Sequence, residues 1–272
     1  MPEFVKSHGL GNDYIVLVPS ERMPPLTEAV IRLICHRNFG VGSDGILLRY
    51  ESKRADFGLR IFNPDGSEAE KSGNGVRIFA KYLYDHRLST SERFTIETLG
   101  GIVHAQLRLV DGQIADITVD MGTASFDELH EIEVDGERLE LTSLSVGNPH
   151  CIVVVPDLST VDFYRLGPKL ETHPAFPNRT NVQFAQIVSR LEVRIRIWER
   201  GAGETLASGS SSCAVAAACY RLGHVDRDVT ISMDGGQLQI RLAEDGEIWM
   251  TGPVEEVCSG DLSDDLLRRL RS

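Results

Sequence analysis

The chain has 272 residues, a length that suits one large domain or two small ones. Apolar residues make up 42% and charged residues 25%, an ordinary composition for a globular protein that buries a core. The formal net charge is −12, whereas nucleic acids and anionic membranes are bound by basic surfaces. We therefore expect no nucleic-acid or membrane partner.

The cysteines argue against a disulfide framework. There are five, at positions 35, 151, 213, 219 and 258, and no C-x-x-C pair occurs. An odd number without paired spacing favours neither disulfides nor a zinc site. No apolar run approaches the length of a membrane span, and the N-terminus lacks the pattern of a signal peptide. The sequence thus predicts a cytoplasmic protein without a metal site.

Short β-rich segments dominate the chain, separated by turn signals such as Pro64-Asp65-Gly66. In order, the predicted strands are YIVLV, GILLRY, FGLRIF, RFTIET, IVHAQLRLV, IADITVDM, CIVVVP, NVQFAQIV, LEVRIRIW, VTISM, LQIRLA and EIWMTG. Helices are predicted over 26–38 with Thr27 as N-cap, over 76–86, and over 212–223 with Gly223 as C-cap. A short amphipathic segment over 261–272 closes the chain.

The chain repeats itself once, at an offset of 136 residues. Residues 59–75, LRIFNPDGSEAEKSGNG, align without gaps on residues 195–211, IRIWERGAGETLASGSS. The same offset places Gly11-Asn12 on Gly147-Asn148, and residues 95–107 resemble residues 230–242 at an offset near 135. Three agreements in order indicate two halves of similar fold.

Strands and helices mixed within each half indicate an α+β fold. We expect each half to wrap antiparallel strands around the helix that follows its Gly/Ser run. The predicted N-terminal half is 1–117, joined by the C-terminal tail 258–272, and the predicted C-terminal half is 118–257. No Pro/Ser-rich linker separates them, which favours a tight interface with a cleft.

The Gly/Ser runs end where helices begin, and a helix N-terminus binds anions through its unpaired N–H groups. Gly73-Asn74-Gly75 and Gly209-Ser210-Ser211 could therefore clamp one carboxylate or phosphate from two sides. Neither run fits a nucleophile elbow or a Walker A loop. The alternative is ordinary helix capping by Ser and Asn. Ser72 and Ser208 hold equivalent places in the repeat. Two such groups on opposite faces of one carbon would remove a proton on one face and return it on the other, which also indicates racemisation or epimerisation.

Seven stretches spread over nearly the whole chain carry a family resemblance: HGLGNDY (8–14), GVGSDGILL (40–48), RIFNPDGSEAEKSGNG (60–75), VGNPHC (146–151), NRTNVQFA (178–185), ERGAGETLASGS (199–210) and MTGPVEEV (250–257). In these stretches the sequence resembles the diaminopimelate epimerases, amino-acid epimerases of the lysine pathway. The resemblance implies two pseudo-symmetric halves, each a β-barrel-like sheet around a central helix, with the substrate between them.

The resemblance also implies roles for residues. His150 and Glu199 would flank a catalytic pair, whose positions are held in this chain by Ser72 and Ser208. The positions expected to contact substrate, including the two helix starts, are Asn12, Asn63, Gly73, Asn74, Asn148, Asn181, Glu199, Arg200, Gly209 and Ser210. Arg200 is suited to a distal carboxylate. A loop Asn can instead be a simple turn residue. Gly45 departs from family members that carry a polar, substrate-contacting side chain there.

The largest departure falls on the catalytic pair itself. Where the family has a thiolate base and a thiol acid, this chain has Ser72 and Ser208. A serine hydroxyl is a poor base without help from a neighbour, whereas a thiolate is accessible near neutral pH. Cys151, Cys213 and Cys219 are expected to be packing residues and not replacements.

Three functions follow from these observations. The first is cofactor-independent interconversion of LL- and meso-diaminopimelate by two-base proton transfer, in which His150 or Glu199 helps a serine or handles the proton directly. The second is a racemase or isomerase of another polar amino acid, since related folds host proline racemase-like and phenazine-pathway isomerase-like chemistry. The third is a catalytically impaired amino-acid-binding form, natural or engineered. The resemblance further implies a homodimer, and no pyridoxal or metal motif is evident.

Overall fold

The computed structural model describes residues 3–18 and 21–271. The chain forms two units: one contains the described residues up to Val119 and from Pro253 onward, and the other contains Asp120–Gly252. Both combine sheets and helices, which confirms the predicted α+β class. Each unit is described in turn.

The first unit is built on one sheet. Its strands, in chain order, are β1 (Phe4–Gly9), β2 (Asn12–Leu17), β3 (Ile46–Tyr50), β4 (Phe57–Phe62), β5 (Glu68–Ala69), β6 (Arg93–Thr98), β7 (Gly101–Val110), β8 (Gln113–Thr123) and a late strand, β20 (Glu255–Gly260). The spatial order is β20-β1-β2-β3-β4-β6-β7-β8, with β5 paired to β4 as a short hairpin. The pairs β2–β3 and β4–β6 are parallel and the others antiparallel.

Three helices belong to this unit: α1 (Glu28–Cys35), α2 (Gly73–Asp85) and α5 (Asp264–Leu270). Helix α2 packs against β1, β2, β4 and β7, and it buries Phe79 and Leu83 completely. Helices α1 and α5 pack together over Ile15, Leu17 and Ile46 on β2 and β3. Strand residues and the apolar faces of α1 and α5 thus share one core cluster.

The second unit repeats this arrangement. Its strands are β9 (Ser125–Phe126), β10 (Glu131–Val134), β11 (Glu137–Glu140), β12 (Thr142–Ser145), β13 (Pro149–Val154), β14 (Asn181–Ser189), β15 (Glu192–Glu199), β16 (Gly203–Thr205), β17 (Asp228–Met233), β18 (Gly236–Leu242) and β19 (Glu247–Gly252). The order β12-β13-β14-β15-β17-β18-β19 has the same sequence of parallel and antiparallel pairs as β1-β2-β3-β4-β6-β7-β8. Strands β10 and β11 form a separate hairpin.

The helices of this unit are α3 (Phe163–Glu171) and α4 (Gly209–Arg221), with a 3-10 turn at Leu158–Thr160. Helix α4 is surrounded by β12, β13, β14, β17, β18 and β19. Ten of its residues are buried, and they include Cys213 and Cys219, which pack among alanines as expected of small apolar side chains. Helix α3 packs on β14 and β15 through Phe163, Leu166 and Leu170.

Register supports the sequence repeat residue by residue. In β2–β3, Ile15 pairs with Ile46, and in β13–β14, Cys151 pairs with Val182. Both partners are shifted by the same 136 residues. Helix α2 (Gly73–Asp85) maps onto α4 (Gly209–Arg221) at that offset without a gap. The two halves inferred from sequence therefore share one topology.

The structure corrects the bounds of all three predicted helices, which are Glu28–Cys35, Gly73–Asp85 and Gly209–Arg221. The first helix is shorter than 26–38, because the chain turns after Cys35 and Gly40 N–H donates to the His36 carbonyl, although Thr27 does cap it. The other two helices begin three residues earlier than predicted, inside the Gly/Ser runs. Gly223 has φ of +76° just beyond α4, the conformation expected of a glycine that ends a helix.

Deleting a fully buried ring should be far more costly than deleting an exposed one. Phe79→Ala leaves a cavity in the core between α2 and the sheet, and we expect it to lower the free energy of unfolding by about 3–5 kcal/mol. Phe39 is 62% exposed, so Phe39→Ala should cost less than about 1 kcal/mol. Urea unfolding followed by circular dichroism measures both, and equal losses would contradict the placement of α2 in the core.

Candidate active site

Ser72 and Ser208 are the N-cap residues of α2 and α4. Both have extended backbone, with φ/ψ of −137°/115° and −144°/122°. Ser72 Oγ accepts from Gly75 N–H at 3.0 Å, and Ser208 Oγ accepts from Ser211 N–H at 3.4 Å. The hydroxyls thus lie at the positive ends of their helices, where an anion is stabilised. The capping role and a role toward an anionic ligand are compatible.

We call Asn12, Tyr14, Ser72, Gly73 and Asn74 the N-terminal half-site. Tyr14 Oη lies 3.1 Å from Ser72 Oγ. Asn74 is almost fully buried and donates through Nδ2 to Asn12 Oδ1 at 3.0 Å. Strand β2 therefore supplies both Asn12, at its first residue, and Tyr14, two residues later on the same face.

A buried positive charge lies behind this helix start. Arg77 is 0% exposed, and its guanidinium donates to Asn74 Oδ1 at 2.9 Å and to the Gly73 carbonyl at 3.3 Å. The side chain therefore fixes the backbone and the amide at the first turn of α2. Its charge adds to the positive end of the helix dipole.

The Asn12 side chain also contacts a network of carboxylates and a guanidinium. Asn12 Nδ2 donates to Asp44 Oδ2 at 3.0 Å, and Arg37 bridges Asp44 and Asp13. Burial raises the pKa of Asp44. Burial would also raise the pKa of Asp13, but hydrogen bonds from Arg37 and Lys6 outweigh it and lower that pKa. The network fixes the Asn12 amide rather than leaving it mobile.

We call Asn148, His150, Gln183, Ser208 and Ser211 the C-terminal half-site. His150 Nε2 lies 3.0 Å from Asn148 Oδ1, and Nδ1 lies 3.3 Å from Gln183 Oε1. Gln183 Nε2 donates to Ser211 Oγ at 2.9 Å. His150 is thereby linked to the first turn of α4 through Gln183 and Ser211, and Ser208 accepts from the backbone of that same Ser211.

Burial keeps the His150 imidazole neutral. The ring is fully buried, and desolvation lowers the pKa of His150 to about 3, against a smaller opposing effect of the Gln183 hydrogen bond. A neutral imidazole has one N–H, and both amide neighbours present an oxygen, so the ring donates to one of them, Asn148 Oδ1 or Gln183 Oε1. His150 is therefore suited to orient the network rather than to carry a positive charge.

Asn181 joins two loops near this half-site. It is the first residue of β14, pairs in register with His150, and donates through Nδ2 to the Pro149 carbonyl at 2.9 Å. Its Oδ1 accepts from Arg200 N–H at 3.0 Å. The Arg200 side chain is exposed and donates to the Asn178 carbonyl at 3.4 Å. Glu199 ends β15, opposite Gly203 in a hairpin.

The remaining candidates lie at the helix starts or in a turn. Gly209 is buried and Ser210 half-buried in the first turn of α4. Asn63 follows β4, and its Nδ2 donates to Ser67 Oγ at 3.0 Å, with a further backbone bond between the same residues. In the described part of the chain, Asn63 therefore belongs to a different hydrogen-bonded group from Asn12 and Asn74. Its substrate contact stays a prediction.

The sequence patterns assign no role to Tyr14, Gln183 or Arg77, and they include Ser211 only as part of the helix start Gly209-Ser210-Ser211. Tyr14 and Gln183 stand inside motifs already singled out, GNDY and TNVQFA, and their offset of two residues from Asn12 and Asn181 was an available signal. Arg77 carried no such signal, because a charged residue in the second turn of a helix is usually exposed.

Neither a metal-binding cluster nor a membrane-spanning helix is present in the described ranges, 3–18 and 21–271. They contain no group of three or more His, Cys, Asp and Glu side chains placed to hold a metal ion. In the same ranges, every helix is too short or too polar to cross a membrane.

The fold is shared with known racemases and epimerases. A solved hydroxyproline epimerase from Agrobacterium vitis superposes with a TM-score of 0.73 at 17% identity, over 94% of this chain and 90% of that chain. A probable proline racemase from Agrobacterium radiobacter gives 0.74 at 16% identity, over 97% and 94%. These similarities define the fold class.

Sequence comparison identifies the family within that class. The family model for diaminopimelate epimerase matches residues 4–126 and 142–257. Diaminopimelate epimerase 2 of Nostoc sp. is 45% identical, over 97% of this chain and 96% of its own, and the diaminopimelate epimerase of Moorella thermoacetica is 44% identical, over 95% and 98%. The chain belongs to the diaminopimelate epimerase family, as the sequence motifs indicated.

The neutral His150 predicts a pH dependence of stability. Between pH 6.5 and 3 the unfolded chain binds a proton at this histidine and the folded chain does not, so stability falls as the pH falls through that window. The expected slope from this group is about 1.4 kcal/mol per pH unit below its ordinary pKa. In His150→Gln that component disappears.

Urea unfolding of both proteins at pH 5 and pH 8 measures the effect. At pH 8 the histidine is neutral in both states, so the difference there gives the cost of the substitution alone. A difference between the two proteins that is unchanged at pH 5 would show that the folded imidazole takes up its proton normally.

Proposed function

We propose that the protein is a cofactor-independent epimerase that interconverts LL- and meso-diaminopimelate by moving a proton at the α-carbon. The observation that carries this proposal is the pair of serine-capped helix starts, Ser72 and Ser208, at equivalent places of the two repeats in a chain of this family. Relatives named diaminopimelate epimerase are 39–45% identical over nearly the full chain.

The helix starts suit the reacting end of an α-amino acid. Abstraction of the α-proton puts negative charge on the α-carbon and its carboxylate, and preorganised N–H groups stabilise such charge. The N–H groups of the first turns, at Gly73, Asn74, Gly209 and Ser210, have no carbonyl partner four residues back in their helices. We assign these four residues to the α-carboxylate.

We assign proton transfer to Ser72 on one face of the α-carbon and to Ser208 on the other. Asn12, Asn63, Asn148 and Asn181 are assigned to the polar groups of the substrate, because an amide can accept from an ammonium and donate to a carboxylate. Glu199 and Arg200 are assigned to the amine and the distal carboxylate respectively. The exposed guanidinium of Arg200 is free to reorient toward such a carboxylate at small cost.

The main test is whether the chain with Ser72 and Ser208 catalyses epimerisation of diaminopimelate. Proton NMR of LL-diaminopimelate in D₂O, with chiral analysis of the product, follows loss of the α-proton and appearance of the meso form. We expect both with the natural chain, and we expect Ser72→Ala and Ser208→Ala each to reduce the rate on the order of 10³-fold. Saturable binding without exchange would overturn the catalytic proposal and leave an amino-acid-binding protein.

Thiols should outperform the serines. The double substitution Ser72→Cys with Ser208→Cys restores groups whose thiolates are accessible near neutral pH at a helix N-terminus. We expect it to increase the exchange rate by on the order of 10²-fold or more. The matched control is Ser263→Cys, at the N-cap of α5, where the side chain accepts from Leu266 N–H in the same way and no substrate role is assigned; it should leave the rate unchanged.

Arg200 should decide the choice of substrate. Removing its charge with Arg200→Met should raise KM for diaminopimelate on the order of 10–100-fold, because a charge-assisted bond to the distal carboxylate is lost. Arg194→Met on β15, the strand that precedes Arg200, is the control, since Arg194 is exposed and pairs with Glu192. An unchanged KM would favour a polar amino acid without a second carboxylate, and a panel of such amino acids in the same exchange assay would identify it.

The cytoplasmic location and the homodimer expected from sequence stay predictions.

A further inference from the structure

Tyr14 is the side chain that contacts the hydroxyl of Ser72. Its Oη lies 3.1 Å from Ser72 Oγ, and its ring is 7% exposed. Ser72 Oγ also accepts from Gly75 N–H, so its position is fixed from the backbone side. The phenol therefore meets a hydroxyl group that is already held in one orientation at the positive end of α2.

Gly45 leaves the space that the Tyr14 ring occupies. A Cβ atom at position 45 would lie 2.6 Å from Tyr14 Cε1 and 3.0 Å from Cδ1, well inside van der Waals contact. It would also lie 2.5 Å from the Phe62 carbonyl oxygen. Glycine at this position is thus the condition for placing the phenol against Ser72 in this structure.

The repeat gives Tyr14 a counterpart. At the offset of 136, Tyr14 corresponds to His150, while Leu47 and Gly75 correspond to Gln183 and Ser211. The parallel pairs β2–β3 and β13–β14 have equivalent registers, so these correspondences hold in space within each unit. In the second unit His150 is linked to α4 through Gln183 and Ser211. In the first unit the positions of those two linking residues are held by Leu47, which is apolar, and Gly75, which has no side chain. Tyr14 instead contacts the N-cap residue Ser72 directly.

Two features at the start of α2 oppose the cost of placing negative charge at this buried contact. The first turn of α2 presents its positive end, and the fully buried Arg77 guanidinium binds the Gly73 carbonyl and Asn74 in the same turn. A phenol ionises far more readily than an alkyl hydroxyl and can therefore hold the anion that a serine cannot hold by itself. The phenol is the group through which a weak serine base can be strengthened.

We propose that Tyr14 is the positioning residue that accepts and returns the Ser72 proton, an inference that rests on the proposed function. The α-proton moves to Ser72 Oγ while the Ser72 hydroxyl proton moves to the phenolate oxygen of Tyr14. The C–H bond breaks, its electron pair stays on the α-carbon, and an O–H bond forms on each oxygen that takes up a proton. In the opposite direction the phenol returns its proton to Ser72 as Ser72 protonates the carbon.

The first experiment removes only the phenol oxygen. Tyr14→Phe should lower kcat for exchange on the order of 10²-fold, with KM changed less than about threefold, and should remove the ionisation of the phenol from the pH profile of kcat. Tyr82→Phe is the matched control, because Tyr82 is a similarly buried tyrosine on α2 in the same unit. It should exchange at the rate of the natural chain.

Rescue separates activation from simple packing. A thiol at position 72 needs no strengthening once it is ionised, so at a pH above the thiol pKa of both variants Tyr14→Phe should cost less than about threefold when combined with Ser72→Cys. An equal loss in both backgrounds would overturn the proposal, as would Tyr14→Phe that retains the exchange rate of the natural chain.

A measurement that does not need turnover distinguishes this proposal from the proposed function. The rate of alkylation by iodoacetamide at position 72, followed against pH by peptide mass spectrometry, gives the thiol pKa in Ser72→Cys with and without Tyr14→Phe. A phenol that donates to the thiolate lowers that pKa, so Tyr14→Phe should raise it by about one unit or more. A natural chain without exchange, together with this shift, would overturn the epimerase and leave the Tyr14–Ser72 pair standing; equal pKa values would overturn the pair even in an active enzyme.

Discussion

The hydrogen bond that closes the first turn of each central helix fixes the position of the hydroxyl groups on which the proposed reaction depends. A helix start leaves N–H groups without carbonyl partners, and a side-chain oxygen at the N-cap satisfies one of them. In α2 and α4 that oxygen belongs to Ser72 and Ser208. The same bond therefore ends the preceding loop, starts the buried helix, and holds a hydroxyl at the positive end of a helix dipole. A change that moved either helix would move its hydroxyl as well.

Much of this was predictable from sequence, because a repeat gives two independent readings of one pattern. The two halves of similar fold and the α+β class followed from the β-rich segments and the offset of 136 residues. The helix starts were placed three residues late, since glycines discourage a helix in propensity terms while the buried environment accepts them here. Helix α3 was not foreseen, because Gly167-Pro168 in its middle is typical of a break, yet Phe163 and Leu170 are buried against β14 and β15.

The parts that sequence could not supply are contacts between side chains far apart in the chain. The approach of Tyr14 to Ser72 depends on the space at Gly45 and on the position of β2 beside α2, and none of these is visible in local pattern. The link from His150 to α4 likewise depends on the parallel register of β13 and β14. Burial sets the charge state of His150, and a motif does not encode burial.

The two halves have kept one topology and diverged in how they support their N-cap serine. The second unit places a neutral imidazole in an amide and hydroxyl network, which orients groups without supplying charge. The first unit places a phenol directly on the serine and a buried guanidinium behind the helix start. A reaction that takes a proton on one face of a carbon and returns one on the other needs groups of matched strength on both sides at the same pH. In the proposed mechanism serine is weak on either side, so a difference in support between the halves would determine which serine limits the rate. The proposal therefore makes Ser208 the limiting serine, because its oxygen accepts from a backbone N–H and is linked to His150 only through Ser211 and Gln183.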